Sequence, residues 1–103
     1  MIKEKVQEAV NQQIQAEFQS AYIYLGMAAY FEEKNLDGFA NWMRIQWEEE
    51  IQHAMYFYDH VLRRGGQIKL LDLKSPSLDI KSPKHAFEQA FEHEQYITGR
   101  IND

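Results

Sequence analysis

Two long segments with α-helical spacing, separated by only a few residues, constrain the fold more than any other feature. Residues 3–34 and 38–64 each carry apolar side chains at steps of three and four, the pattern of one buried helix face. Residues 35–38 interrupt the pattern, and we expect Asp37 to cap the second helix. The glycine pair at 65–66 is expected to end it. So short a connection predicts that the two helices are antiparallel neighbours.

A third helix is predicted after a long connection. Residues 66–82 lack helical spacing, as expected for a crossover that runs from one end of a helix bundle to the other. Within them, residues 67–70 alternate weakly and could pair as a short strand with a symmetry-related copy. Ser82 as N-cap and Pro83 at the first helical position begin the third helix. Its apolar positions are Phe87, Ala90, Phe91, Ile97 and Ile101.

These elements predict an all-α protein with a single domain over residues 1–103. Three helices and one long crossover form most of a four-helix bundle, and the third helix shows no clear end before the sequence stops. Left open, the apolar faces would form a large exposed patch. We therefore expect a fragment of a longer protein, truncated within its third helix. The alternative is that a second copy completes the bundle.

Charge and cysteine content exclude several kinds of partner. The 103 residues carry a formal net charge of −5 and no basic run, which argues against binding of nucleic acid or of anionic membranes. Because there is no cysteine, a metal would have to be held by carboxylates and imidazoles. No apolar run has the length of a leader peptide or a membrane span. The sequence predicts a soluble, cytoplasmic protein.

Acidic and imidazole side chains occupy positions where the second helix calls for apolar ones. Glu50 shares a stripe with Met43 and Phe57, and His53 follows one turn later on the same face. Burying both groups without partners would cost several kcal/mol. Metal coordination would remove that cost. Taken alone, however, two residues at this spacing are more often a surface or structural pair than a metal site.

Two further carboxylates fall on the apolar stripes of the other helices. Glu17 lies at the edge of the first stripe, and Glu94 interrupts the third. Tyr24 lies two turns after Glu17 on the same face. Their joint placement with Glu50 and His53 favours a metal site, and this ligand set suits iron, manganese or zinc. Glu50 is best placed to bridge two metals, and two Fe(II) ions could together pass electrons to one O2.

Short motifs with these residues extend from one end of the chain to the other. They are Gln-Ala-Glu at 15–17, Ser-Ala-Tyr at 20–22, Tyr-Leu at 24–25, Gly-Phe-Ala at 38–40, Trp-Met at 42–43, Glu-Glu-Ile-Gln-His-Ala at 49–54, Arg-Arg-Gly-Gly at 63–66, Ala-Phe-Glu at 86–88 and Glu-His-Glu at 92–94. Because all of these motifs occur together and in this order, the chain resembles the bacterial non-haem ferritins. The resemblance implies a ferritin-like four-helix bundle, whose carboxylate metal sites are an already known pattern. Only its first two helices and the start of the third would be present.

The resemblance also implies a ferroxidase centre with five metal ligands and one tyrosine. The residues are Glu17, Glu49, Glu50, His53, Glu94 and Tyr24. Glu50 would lie between a first iron, held with Glu17 and His53, and a second iron, held with Glu94. Glu49 would belong to a third iron site, although a solvated helix face explains it equally well. The tyrosine would hydrogen-bond the centre and could supply an electron.

By this resemblance the protein would oxidise Fe(II) with O2 and store the ferric product in a hollow cage of 24 subunits. A chain that ends within the third helix would lack further carboxylate ligands, so the second and third iron sites would be incomplete. Gln52 stands where bacterioferritins carry a haem-ligating methionine, which predicts that no haem is bound. Two other functions stay open: a redox-inert structural subunit, and a half-bundle that dimerises to build a shared di-iron site.

The three remaining histidines are not expected to bind metal. His60 lies on a core row but has no acidic partner at metal spacing. His85 and His93 are expected to be exposed.

Overall fold

An antiparallel pair of long helices forms the frame of the molecule. The computed structural model describes residues 2–76 and 79–102. Its helices are α1 (Glu4–Glu33), α2 (Asp37–Arg63) and α3 (Pro83–Asn102). α1 packs extensively on α2, and the backbone N–H of Ile2 donates a hydrogen bond to the carbonyl of Arg64 at 3.1 Å. The start of α1 therefore lies beside the end of α2, which confirms the antiparallel arrangement.

The turn between α1 and α2 forms earlier than expected. Asn35 has a φ of 60°, and the N–H of Leu36 donates to the carbonyl of Phe31 at 2.9 Å. Asparagine tolerates this left-handed conformation because its short polar side chain can hydrogen-bond locally. The prediction that Asp37 is the N-cap is wrong: Leu36 takes that position without a side-chain hydrogen bond, and Asp37 is the first helical residue. Its carboxylate still complements the positive end of the helix dipole.

The end of α2 uses the same backbone motif, and the predicted glycine stop is confirmed. Gly65 has a φ of 74°, and the N–H of Gly66 donates to the carbonyl of Val61 at 2.9 Å. Gly66 also allows a close approach. A Cβ at this position would lie 2.8 Å from Cγ2 of Ile2 and 2.8 Å from Cγ1 of Val61. Only a residue without a side chain fits here unless its neighbours move.

The core lies where the three helices meet. Its buried members are Tyr24, Met27, Ala28, Phe31, Ala40, Met43, Ala86 and Ala90. The small alanines of α3 allow that helix to approach α1 closely. α3 reaches α2 through Phe87, whose ring centroid lies 5.2 Å from those of Phe39 and Trp42.

Several residues of the expected apolar stripes lie outside this core. Leu25 and Phe39 are 41% and 44% exposed, and Phe91 is 66% exposed. Periodicity gives the direction of an apolar face but not how much of it a neighbour covers. α3 packs on α1 far less extensively than α2 does, so the described helices leave Phe91 open. The side chains of Ile97 and Ile101 lie outside the described part of the chain.

The crossover runs extended along α1 and is held by amide side chains at every fourth position of that helix. These are Gln7, Asn11, Gln15 and Gln19. Asn11 donates to the carbonyl of Gln67 at 3.0 Å and accepts from the N–H of Lys69 at 3.1 Å. Gln19 makes the same two kinds of bond with Lys74, at 2.9 and 2.8 Å. Four helical residues advance about 6 Å, which is close to the length of two extended residues. The spacing of the amides on α1 therefore nearly matches the spacing of alternate residues in the crossover.

No strand occurs within residues 66–76 of a single copy, and the suggested pairing of residues 67–70 with a symmetry-related copy stays a prediction. The backbone N–H groups of Gln67 and Lys69 are bonded to side chains of α1. The start of α3 confirms its prediction: Ser82 Oγ accepts from the N–H of His85 at 3.1 Å, and Pro83 is the first helical residue. None of the described helices is long and apolar enough to cross a membrane.

Candidate metal centre

Two carboxylates are buried in the middle of the frame. Glu17 on α1 is 0% exposed and Glu50 on α2 is 2% exposed. The Oε1 of Glu17 accepts a hydrogen bond from Gln13 Nε2 at 2.9 Å. With both carboxylates ionised, Oε2 of Glu17 and Oε2 of Glu50 have no hydrogen-bond partner within the described residues. A buried carboxylate oxygen left in this state is costly, and it calls for an explanation such as a catalytic role or a bound ion or water.

His53 places an imidazole nitrogen beside both of these oxygens. Its Nδ1 lies 3.6 Å from Oε2 of Glu17 and 3.7 Å from Oε2 of Glu50. The ligand atoms of the three residues all lie within 4.8 Å of one another. Ligands about 2.1 Å from one ion, at angles of 90–120°, are roughly 3.0–3.6 Å apart. The two distances from His53 Nδ1 are therefore close to the ligand spacing of a single coordination sphere.

The electrostatics of the group favour a bound cation. Burial raises the pKa of Glu50 well above its usual range, and the nearby carboxylates of Glu17 and Glu94 raise it further. A carboxyl group in this position takes up a proton at neutral pH unless a positive charge replaces that proton. His53 differs from the two carboxylates because its side chain is 57% exposed. It forms the open side of the group.

Glu94 on α3 lies beside this group and is hydrogen-bonded to Tyr24. The hydroxyl of Tyr24, which is fully buried on α1, donates to Oε1 of Glu94 at 2.5 Å. Burial raises the pKa of Tyr24, and the hydrogen bond to Glu94 raises it further, so the phenol keeps its proton. Glu94 is half-buried and close enough to Glu50 to raise the pKa of that carboxyl group. The role of Glu94 as a metal ligand stays a prediction.

Glu49 lies apart from this arrangement. It is exposed, as is Glu48, and it is outside the three-residue group that could hold one ion. Its charge contributes to the raised pKa of Tyr24 after the effects of burial, Glu94 and Glu50. Its assignment to a third iron site stays a prediction.

Comparison with known proteins assigns the family. A family model described as "Ferritin-like domain" matches residues 7–103. The chain belongs to the ferritin family. A "Bacterial non-heme ferritin" of Bacteroides fragilis is 41% identical over 102 residues, which cover 99% of this chain and 64% of that protein. A "Probable bacterial non-heme ferritin-like protein" of Haemophilus influenzae is 30% identical over 103 residues, which cover 100% of this chain and 62% of that protein.

Solved structures agree with this assignment. A crystal structure described as a novel open pore ferritin from Archaeoglobus fulgidus has a TM-score of 0.94 and 51% identity, over 98% of this chain and 62% of that one. A closed form of the same ferritin, engineered by mutagenesis, has a TM-score of 0.96 and 51% identity, and the match covers 99% of this chain and 62% of that one. The three helices thus have the ferritin fold, and the chain spans less than two thirds of these relatives.

Two histidines of this ferritin chain are more buried than the sequence suggested. His93 and His85 are both half-buried, so the prediction that they are exposed is wrong. Position 93 is three residues after Ala90, which places it on the face of α3 that meets α1. Its Nε2 forms a hydrogen bond with Oγ of the fully buried Ser20. Burial lowers the pKa of His93, against the opposing effect of Glu94 and Glu17.

Proposed function

We propose that this ferritin chain serves iron storage and detoxification by oxidising Fe(II) to Fe(III) with O2. One observation carries the proposal: two buried carboxylate oxygens, on Glu17 and Glu50, have no hydrogen-bond partner among the described residues and lie within 3.7 Å of His53 Nδ1. Hard oxygen donors with one imidazole suit iron. The family assignment supports iron over the other metals that such a group could hold.

The proposed site binds two iron ions as substrate. Glu17, Glu50 and His53 hold the first, and Glu50 also contacts the second, which Glu94 holds from α3. Tyr24 orients Glu94 by its hydrogen bond and can supply an electron. Glu49 is proposed as a ligand of a third iron site.

The chemistry needs charge neutralisation and paired electron transfer. Binding of Fe(II) displaces the proton that burial places on Glu50, and the divalent charge compensates the carboxylates. Two Fe(II) ions each give one electron to O2, which takes up two protons and leaves as hydrogen peroxide. Both irons become Fe(III). Transferring two electrons together avoids release of one-electron oxygen radicals.

Storage requires assembly. The ferritin relatives support self-association, and we propose a cytoplasmic cage of 24 copies that holds the ferric mineral. Large apolar side chains on the described surface fit such contacts, since Tyr56, Leu70 and Phe91 are 62%, 70% and 66% exposed. The proposal includes no haem, no nucleic acid and no membrane partner.

A double variant, Glu50→Ala with His53→Ala, tests the proposed oxidation. It removes a buried carboxylate and the imidazole beside it, and we expect rapid O2-dependent Fe(II) oxidation to be abolished. Glu48→Ala is the matched control because that exposed acid belongs to the same stretch of α2. The rate is followed by the absorbance of the ferric product. Unchanged kinetics in the double variant would favour a redox-inert structural subunit instead.

A further inference from the structure

α3 is held to α1 by polar contacts from two consecutive residues. His93 bonds to Ser20, and Glu94 bonds to Tyr24. The two partners on α1 are four residues apart, so they lie on one face about 6 Å apart along the axis. The packing between these helices is otherwise much less extensive than that between α1 and α2. The two hydrogen bonds therefore bear strongly on where α3 sits.

Two contacts of this kind fix both the rotation and the axial position of a helix. Consecutive helical residues point roughly 100° apart, so His93 and Glu94 reach α1 from different directions. With the Glu94 bond alone, only the apolar contacts of Ala86, Phe87 and Ala90 would oppose rotation of α3 about that point. The Ser20 hydroxyl is 0% exposed, so water cannot readily replace a lost partner there.

The ring of His93 also packs against the donor of the second bond. It meets the ring of Tyr24 edge-on, with centroids 6.4 Å apart and an interplanar angle of 82°. The same imidazole thus restrains the phenol of Tyr24 and adjoins the carboxylate of Glu94. His93 is not among the three residues, Glu17, Glu50 and His53, whose ligand atoms lie within 4.8 Å of one another.

We infer that His93 is a positioning residue for the second iron site. Through its hydrogen bond to Ser20, it sets the rotation of α3 so that Glu94 meets both Tyr24 and the carboxylate of Glu50. This role rests on the proposed function, because it presupposes that Glu94 holds metal. The first site needs only residues of α1 and α2, so it does not depend on His93.

The test is stepwise Co²⁺ binding to the assembled, full-length protein, followed by visible absorption. Ser20→Ala and His93→Ala remove the same hydrogen bond from opposite sides, and Ser20→Ala deletes only a hydroxyl group. His93→Gln keeps a nitrogen near the position of Nε2 and should restore the bond. His85→Ala is the matched control, since His85 is the other half-buried histidine of α3 and bonds locally to the N–H of Lys81.

We expect both alanine variants to weaken the second binding step about tenfold or more, with the first step changed less than about twofold. His93→Gln should recover most of the loss, and the His85 control should resemble the wild type. The combined Ser20→Ala and His93→Ala variant should be no worse than His93→Ala alone, because that variant has already lost the Ser20–His93 bond. In Fe(II) oxidation, the same variants should lower kcat more than they raise KM.

Three outcomes would overturn the role of His93. They are an unchanged second step in both alanine variants, equal weakening of both steps, and a loss in His93→Ala that Ser20→Ala does not share. If His93→Ala does not fold, Ser20→Ala still decides the question. A wild-type protein that binds no Co²⁺, or that binds it without oxidising Fe(II), would instead count against the proposed function itself.

Discussion

The hydroxyl of Tyr24 donates a hydrogen bond to Oε1 of Glu94, which links α1 to α3 across 70 positions of sequence. The bond occupies one oxygen of the carboxylate and leaves Oε2 for other partners. Because the phenol is buried and its pKa is raised, it stays a donor across the physiological range. The contact therefore defines how α3 approaches the carboxylates of the other two helices.

Tyr24→Phe removes this donor and keeps the ring. A hydrogen bond to a charged group contributes roughly 1.5–3 kcal/mol, so we expect the free energy of unfolding of the metal-free protein to fall by about that amount. Tyr22→Phe is the control, because Tyr22 is 42% exposed on the same helix. Urea denaturation measures the free energy of unfolding of both variants. Equal stability of the two variants would show that the Tyr24–Glu94 bond contributes nothing.

Glu50 gives the metal-free protein a specific pH dependence. Its folded-state pKa is raised from an ordinary value of 4.5, so the folded state binds the proton more tightly than the unfolded state. Its contribution to stability is complete at low pH and is lost as the pH rises. We expect the free energy of unfolding to decline from about pH 4.5 upward from this cause, because the folded-state pKa of Glu50 is raised to about 10.

Glu50→Gln should remove that decline and be more stable than the wild type at pH 8, by about 1 kcal/mol or more. The lowered pKa of His93 acts in the opposite direction, since a histidine held neutral favours the folded state as the pH rises through 6.5. Subtracting the variant's pH profile from that of the wild type cancels this effect. A difference that does not grow with pH would contradict the prediction.

Asn11 should be required for the path of the crossover. Asn11→Ala loses two hydrogen bonds and leaves backbone groups of Gln67 and Lys69 without their partners, so we expect a loss of about 1–3 kcal/mol in stability. The amide hydrogens of residues 67–69 should also exchange faster with deuterium. Gln12→Ala, at the exposed neighbouring position, is the control and should change neither quantity. Unaltered exchange in the Asn11 variant would mean that the crossover is held by other contacts.

Two glycines should respond to alanine in opposite ways. At Gly66 an added Cβ would lie 2.8 Å from carbons of Ile2 and Val61, so Gly66→Ala should destabilise the protein by about 1–3 kcal/mol. At Gly38, in the first turn of α2, nothing lies within 4 Å of an added Cβ. Gly38→Ala should therefore stabilise by up to about 1 kcal/mol. Thermal melts of the metal-free variants compare them directly, and effects of the same sign would contradict this packing.

Helical periodicity was sufficient to predict the frame and the two buried carboxylates. Glu17 and Glu50 lie at core phases because residues three and four apart share a face, whatever their chemistry. Periodicity did not predict depth. His53 shares that face yet is 57% exposed, and Phe91 is left open, because coverage depends on how far a neighbouring helix extends. The burial of His93 is consistent with its position three residues after the buried Ala90, but this spacing does not show that a neighbouring helix covers a polar side chain there.

The crossover illustrates another limit of sequence patterns. Its register depends on amides spaced by four on α1, a signal that becomes meaningful only when another segment is known to run alongside. The alternation expected at 67–70 breaks at Leu70 and Leu71. The bonded backbone groups also change there, from odd-numbered Gln67 and Lys69 to even-numbered Lys74.

The spacing of the amide side chains on α1 therefore limits how many crossover residues fit between successive hydrogen bonds. Amides four residues apart on α1 are about 6 Å apart along the helix, which is the length of two extended residues. Any further crossover residue between two such amides must bulge outward. Inserting one residue between positions 67 and 69 would turn the backbone N–H groups of the following residues away from the amides of α1. An insertion at 70–71 would be better tolerated, because the bonded N–H groups already change there from odd-numbered to even-numbered residues. Insertions and deletions in this crossover should therefore be confined to positions 70–71 and to the segment after Lys74.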